Sequence, residues 1–227
     1  MRPRLAALIP ARNEEGRIGA LLSRLHASLP EAELFVVDGQ SQDGTVAEAV
    51  AAGATVIQQE GRGYAGALAT GYRALAGRVD RLIQLDADGQ HPAEVSRALL
   101  DSLDEADWVI GSRHGTSSGG SLDRRLGNRL LSELVRLSTG SGLHDVTSGY
   151  WALGPAALSA FSSRFPARVA DANARVYGRR IGLRILEVPV IVEPRLSGRS
   201  MHDGVTGWRN LAASVAAVLE ERLRRVP

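Results

Sequence analysis

Residues Leu82 to Pro92 read LIQLDADGQHP, and the kind of sheet the chain builds follows from that stretch. The apolar run from Arg81 to Leu85 has the length and composition of a buried strand and breaks off at Asp86. Asp88 follows one residue later, with Gln90 two further on. In an extended turn, residues two apart can point the same way, so two carboxylates and an amide oxygen can converge on one cation. Such ligands suit Mg²⁺ or Mn²⁺, with the remaining positions left to substrate phosphate and water. A plain turn capping a helix from Pro92 would use the same residues, and an isolated Asp-x-Asp does not choose between the two. His91 reads as a turn or capping residue, with an extra metal ligand as the alternative.

The strand-then-turn pattern recurs upstream. Leu5 to Ile9 predicts a buried strand stopped by Pro10, followed by a helix with Ile18, Leu21, Leu22 and Leu25 at helical spacing. Leu34 to Val37 is a second strand ending at Asp38, the turn GQSQDGT follows, and Val46 to Ala52 is a short helix closed by Gly53. Ala54 to Ile57 is the third strand, Gly63 to Ala76 a tightly packed helix of small residues, Pro92 to Leu103 another helix, and Trp108 to Ile110 a strand. Strands alternating with helices predict an α/β fold with a mainly parallel sheet covered on both faces. Ligands sit beyond the carboxyl ends of strands in such sheets, which puts Asp38, Asp86 and Gly111-Ser112-Arg113 on one rim.

The second half is less regular: a helix from Leu122 to Thr139, the segment LHDVTSGYWAL, helices around Pro155 and Ala170, the apolar strand LRILEVPVIV and a closing helix at about 206–225. No linker, repeat or low-complexity tract divides the 227 residues, so one domain over 1–227 is expected to supply the whole site. The chain has no cysteine, which excludes disulfides and thiolate chemistry. All 27 basic residues are arginine, set against 25 acids for a formal charge of +2; this is not a nucleic-acid-coating composition, although local arginine clusters can hold phosphate. The N-terminal apolar run is too short for a secretory signal, and no window has the apolar length of a membrane span. A cytoplasmic protein, or one attached to the membrane's cytoplasmic face, is expected.

Seven segments in order resemble a family 2 glycosyltransferase of the GT-A fold, and within it the dolichyl- and polyprenyl-phosphate glycosyltransferases: ALIPARNEEGRI, VVDGQSQDGT, GRGYAGALATGYRAL, LDADGQHP, VIGSRHG, RRLGNRLL and DVTSGYWAL. The resemblance implies a nucleotide-diphosphate sugar as donor. It implies that Pro10, Arg12 and Glu14 line the nucleotide pocket, with Asp38 near base or ribose and Arg62 on a glycine-rich loop with Gly61, Gly63 and Gly66. It also implies that Asp86, Asp88 and Gln90 hold Mg²⁺ or Mn²⁺, Asp86 facing the donor as well and Ala87 lending only its backbone. The family commonly has two adjacent acids where this chain has Asp38 then Gly39, so base selectivity is left open. Structural roles compete: Glu14 as a first-turn helix acid, Asp38 as a strand-end turn residue, and the glycines as helix-packing residues.

A sugar hydroxyl usually needs a general base, whereas a phosphate monoester carries a charge of roughly −1.5 to −2 at neutral pH and needs cationic positioning instead. Arg113, Arg124 and Asn128 are assigned to acceptor phosphate by the resemblance. Arg124 and Asn128 are four apart and share a helix face; Arg125 and Arg129 read as a solvated basic face. EPRLSGRSMHDG resembles a loop closing over donor diphosphate and acceptor, making Arg195, Arg199 and Ser200 candidates, with Met201 where the family often has lysine. Asp145 and Asp171 are rival bases for a hydroxyl acceptor, and Asp145 also reads as bonding its own turn. A non-catalytic nucleotide-sugar-binding protein is the third reading. On the last helix Trp208, Leu211, Ala212, Val215, Val218, Leu219 and Leu223 form one stripe near Arg222, Arg224 and Arg225, which suits packing on its own domain or peripheral membrane contact.

Overall fold

The computed structural model describes residues 3–113, 122–140, 142–166, 169–192 and 205–224. Seven strands are present there: β1 (Leu5–Ala11), β2 (Glu33–Asp38), β3 (Thr55–Gln58), β4 (Arg81–Gln84), β5 (Trp108–Ser112), β6 (Trp151–Leu153) and β7 (Ile185–Pro189). The helices are α1 (Ile18–Ser28), α2 (Thr45–Ala51), α3 (Gly63–Leu75), α4 (Ser96–Asp101), α5 (Leu122–Thr139), α6 (Pro155–Ser163), α7 (Ala172–Arg180) and α8 (Val205–Leu223). The strands form one sheet in the order β3-β2-β1-β4-β6-β5-β7. Every pairing is parallel except those of β6 with β4 and β5.

Alternation along β1 explains the two layers of core. Leu5, Ala7, Ile9 and Ala11 face a cluster with α1, α2 and α4, while Ala6 and Leu8 face another with α3, α6 and α7. A third cluster joins α5, α7 and α8 through Leu131, Val135, Val176 and Val218. The α8 stripe divides accordingly: Leu211 and Val215 pack on that cluster, while Leu219 and Leu223 are exposed. Among the described residues no helix is long and apolar enough to cross a membrane.

Three differences from the sequence expectations have physical causes. First, Pro10 does not stop β1, which continues to Ala11. Leu8 accepts the Leu85 N–H on the β4 side, and Ala11 accepts the Gly39 N–H on the β2 side. Even-numbered positions therefore face β4, and at Pro10 the paired part of β4 has ended, so the missing N–H costs no ladder bond. Second, the expected helix Pro92 to Leu103 is α4 flanked by 3₁₀ turns at Ala93–Val95 and Ser102–Asp104. Third, part of LHDVTSGYWAL is a strand. β6 runs antiparallel, so its amino end meets the carboxyl ends of β4 and β5, and this brings residues 145–149 to the rim where Asp86 and Arg113 lie.

Candidate active site

On the β1/β2 side, two loops are tied together by side chains capturing backbone N–H groups. Asn13 donates to Ser41 Oγ (3.0 Å), Glu14 to Thr45 Oγ1 (2.7 Å), Glu15 to Asp43 Oδ2 (3.2 Å) and Gly16 to Glu48 Oε1 (2.8 Å). Asn13 Oδ1 returns the tie by accepting the Gln42 N–H at 2.9 Å. Asn13 and Gln40 adopt left-handed backbone conformations, φ 55° and 62°, a strained arrangement of the kind that concentrates at ligand sites. Asp38, at the end of β2, is buried and accepts the Ser41 N–H. A Cβ on Gly39 would stand 3.0 Å from Gln59 Oε1 and 3.2 Å from Arg12 Cβ, so a side chain there would need its neighbours to shift. Pro10 is buried, Arg12 and Arg62 are exposed, and Glu14 pairs with Arg17 at 2.8 Å. Gly66 lies against the Gly61 backbone, so it serves close packing.

Past β4, the Asp86 carboxylate accepts the Tyr64 hydroxyl at Oδ1 (2.7 Å), and the Asp86 N–H donates to His91 Nδ1 (3.1 Å). His91 thus holds the turn from a buried position, stacked on Tyr150 at 4.9 Å between centroids, with Nε2 3.9 Å from Asp86 Oδ2. Burial lowers its pKa, against the opposing pull of Asp86 and Asp88. Asp88 Oδ1 accepts the Gln90 N–H at 3.1 Å across a turn in which Gly89 has φ 76°. Ala87 is buried. Among the described residues no group of three or more His, Cys, Asp or Glu side chains could hold a metal. Two hard carboxylates on a partly exposed turn fit a cation that draws its other ligands from phosphate and water.

Past β5 the chemistry is ionic. Arg113 clasps Asp145 through Nε and Nη2, both at 2.8 Å, and Nη2 also reaches Thr147 Oγ1 at 2.8 Å. Burial would raise the Asp145 carboxyl, but the hydrogen bonds and charge of Arg113 outweigh it and hold that group well below the usual carboxylate range. Asp145 also accepts the Thr147 N–H at 3.2 Å, as its turn-forming reading anticipates. It is therefore a poor base. Arg175, fully buried, spans Asp171 O (3.0 Å), Asp145 O (3.2 Å) and Ser148 O (2.8 Å) and lies 5.2 Å from the Trp151 ring. The Asp171 carboxylate, ahead of α7, has no hydrogen bond or ion pair among the described residues. Burial pushes it up to about 6, with Arg175 opposing and Asp86 adding to the rise.

Asn128 and Arg129 are exposed on α5, while the side chains of Arg124 and Arg125 lie outside the described residues, as do Arg195, Arg199, Ser200 and Met201. Sequence reasoning missed Tyr64, Gln84 and Arg175. Gln84 left a signal, a polar residue inside the strand RLIQL; Tyr64 and Arg175 left none, since helical tyrosines and arginines are ordinary.

The sheet order is that of the GT-A fold, and solved structures share it. Mannosyl-3-phosphoglycerate synthase from Rubrobacter xylanophilus matches with a TM-score of 0.73 at 20% identity, covering 99% of this chain and 77% of that one. Glucosyl-3-phosphoglycerate synthase from Mycobacterium tuberculosis, in complex with Mn²⁺, UDP-glucose and phosphoglyceric acid, matches at 0.71 and 21% identity, covering 97% and 79%. Residues 6–160 match the profile of glycosyl transferase family 2. The undecaprenyl-phosphate mannosyltransferase of Micrococcus luteus is 34% identical over 220 residues, 90% of each chain. The polyprenol monophosphomannose synthase of Mycolicibacterium smegmatis is 32% identical over 219 residues, 88% of this chain and 82% of that one. The chain belongs to glycosyl transferase family 2.

Proposed function

We propose that this enzyme transfers a hexose, with inversion, from GDP-mannose or a UDP-sugar to the phosphate of a polyprenyl-type lipid. The observation that carries the acceptor assignment is the bidentate Arg113–Asp145 clasp. It makes Asp145 a poor base, and by holding Arg113 at the end of β5 beside Thr147 it supports a role for that side chain at the acceptor phosphate. The similarity to the Micrococcus luteus and Mycolicibacterium smegmatis enzymes supports the same acceptor class.

In this scheme Pro10, Arg12, Glu14, Asp38 and Arg62 surround the nucleotide, and Ala87 contributes only backbone. Asp86 and Asp88, with Gln90, would hold Mg²⁺ or Mn²⁺, which would supply positive charge to balance the departing diphosphate. Arg113, with Arg124, Asn128, Arg195, Arg199 and Ser200, orients acceptor phosphate. A phosphate oxygen attacks the anomeric carbon from the face opposite the diphosphate, forming the new C–O bond as the old one breaks; no proton need be removed first. The exposed Leu219 and Leu223 of α8 are offered for contact with the membrane's cytoplasmic face, where such a lipid is met.

A second reading is favoured by one specific feature, the buried Asp171 carboxylate with no hydrogen bond or ion pair among the described residues, which suits a general base toward a hydroxyl acceptor. The test is release of nucleoside diphosphate over a panel of nucleotide sugars with Mn²⁺ or Mg²⁺, with and without polyprenyl phosphate. Release that depends on both metal and polyprenyl phosphate is expected. Equal release in excess chelator sinks the metal assignment, and indifference to polyprenyl phosphate sinks the acceptor.

A further inference from the structure

Beneath the two rim aspartates runs a chain of hydrogen bonds whose direction is forced at both ends. The Tyr72 hydroxyl donates to Gln84 Oε1, an atom that can only accept. Gln84 Nε2, which can only donate, therefore faces the Gly149 carbonyl at 3.0 Å and the Tyr64 oxygen at 3.4 Å. With its oxygen receiving a proton from Gln84, Tyr64 directs its own to Asp86 Oδ1 at 2.7 Å. Each donor polarises the next, and the chain ends on the charged acceptor, which strengthens the last bond most. The chain also joins three elements: α3, the end of β4 and the entry to β6.

Gly149 shows how tightly the last contact is held. A Cβ there would lie 2.7 Å from the Tyr64 hydroxyl and 2.9 and 3.0 Å from the two Asp86 oxygens. The rim closes over this hydrogen bond only because residue 149 has no side chain.

We propose that Tyr64 is a positioning residue, its hydroxyl holding the Asp86 carboxylate in the orientation that meets the cation, with Gly149 kept bare to admit the contact. The assignment rests on the proposed role of Asp86 as a metal ligand. Tyr64→Phe keeps the ring and deletes only the donor, so calorimetry can separate positioning from folding. GDP and UDP are each titrated into the protein without metal, and Mn²⁺ is then titrated into each complex. The expected result is metal-free nucleotide binding within about twofold of wild type and Mn²⁺ binding weakened about tenfold, in a protein that still unfolds in one cooperative transition. Gly149→Ala, which crowds both partners, is expected to weaken Mn²⁺ at least as much. Mn²⁺ binding within twofold of wild type in Tyr64→Phe overturns the proposal, as does parallel loss of metal-free nucleotide binding. A wild-type protein that binds no Mn²⁺ with either nucleotide removes the metal assignment itself, and this proposal with it.

Discussion

The two sides of the rim are built by different chemistry. Around β1 and β2, neutral and acidic side chains capture four consecutive backbone N–H groups beside the buried Asp38, and beyond β4 two more acids, Asp86 and Asp88, stand on a partly exposed turn. Around β5 and β6, arginines do the holding: Arg113 on Asp145, and Arg175 on three backbone carbonyls. Under the proposed function, a cation-bound diphosphate would be met on the first side and an anionic acceptor on the second. The attacking and departing groups of such a transfer are both anionic, so a rim with separate means of holding each avoids placing them on the same charges.

The largest expected effect breaks the acidic side. Asp86→Ala or Asp88→Ala should cut turnover by about a thousandfold or more while the fold survives, checked by nucleoside diphosphate release and a melting curve. Next, Arg113→Ala on the basic side should lower turnover about a hundredfold. It should also cost about 2–3 kcal/mol of stability in a denaturant titration, because Asp145 is then left buried and unpaired. The pH dependence has a definite sign. A carboxyl depressed by its partner stabilises the fold above its unfolded value and loses that contribution as pH falls below about 4. Arg113→Ala should flatten that acid loss.

Asp38→Asn is a smaller lesion of the nucleotide side, expected to raise donor KM about tenfold with kcat little changed, as loss of one charged hydrogen bond requires. The smallest effect on turnover discriminates most. An acid limb near pH 6 is expected whether the nucleophile is a phosphate monoester, whose second ionisation lies at about 6, or a hydroxyl served by Asp171. In Asp171→Asn the limb should persist with turnover within about threefold if phosphate attacks, and vanish with turnover down by at least about a hundredfold if a hydroxyl does. The same variant should be about 1–2 kcal/mol more stable above pH 6, where the ionised carboxylate is disfavoured by the fold, and the gain should fade as pH drops toward 4.

Much of the nucleotide side was legible in the sequence. Strand runs, the acids at their ends and the glycine-rich helix are local patterns, and short parallel strands leave few alternatives to a common rim. The basic side was legible only as a set of residues. Asp145 reads in the sequence as a turn residue as well as a rival base beside Asp171, and the ion pair with Arg113, 32 positions away, is what makes it the poorer base. Tyr64 lies 22 positions from Asp86, and no periodicity points from one to the other.

Hydrophobic period and chain direction are written residue by residue, and they already carry the alternation of strands and helices, the sheet class, and the placing of Asp38, Asp86 and Arg113 at or just past strand ends. Tertiary structure decided that β6 enters the sheet antiparallel, that Arg113 neutralises Asp145, and that Gln84 and Tyr64 stand under Asp86. Those outcomes depend on distances between residues far apart in the chain, which exist only once the sheet has closed and its buried polar groups have found partners.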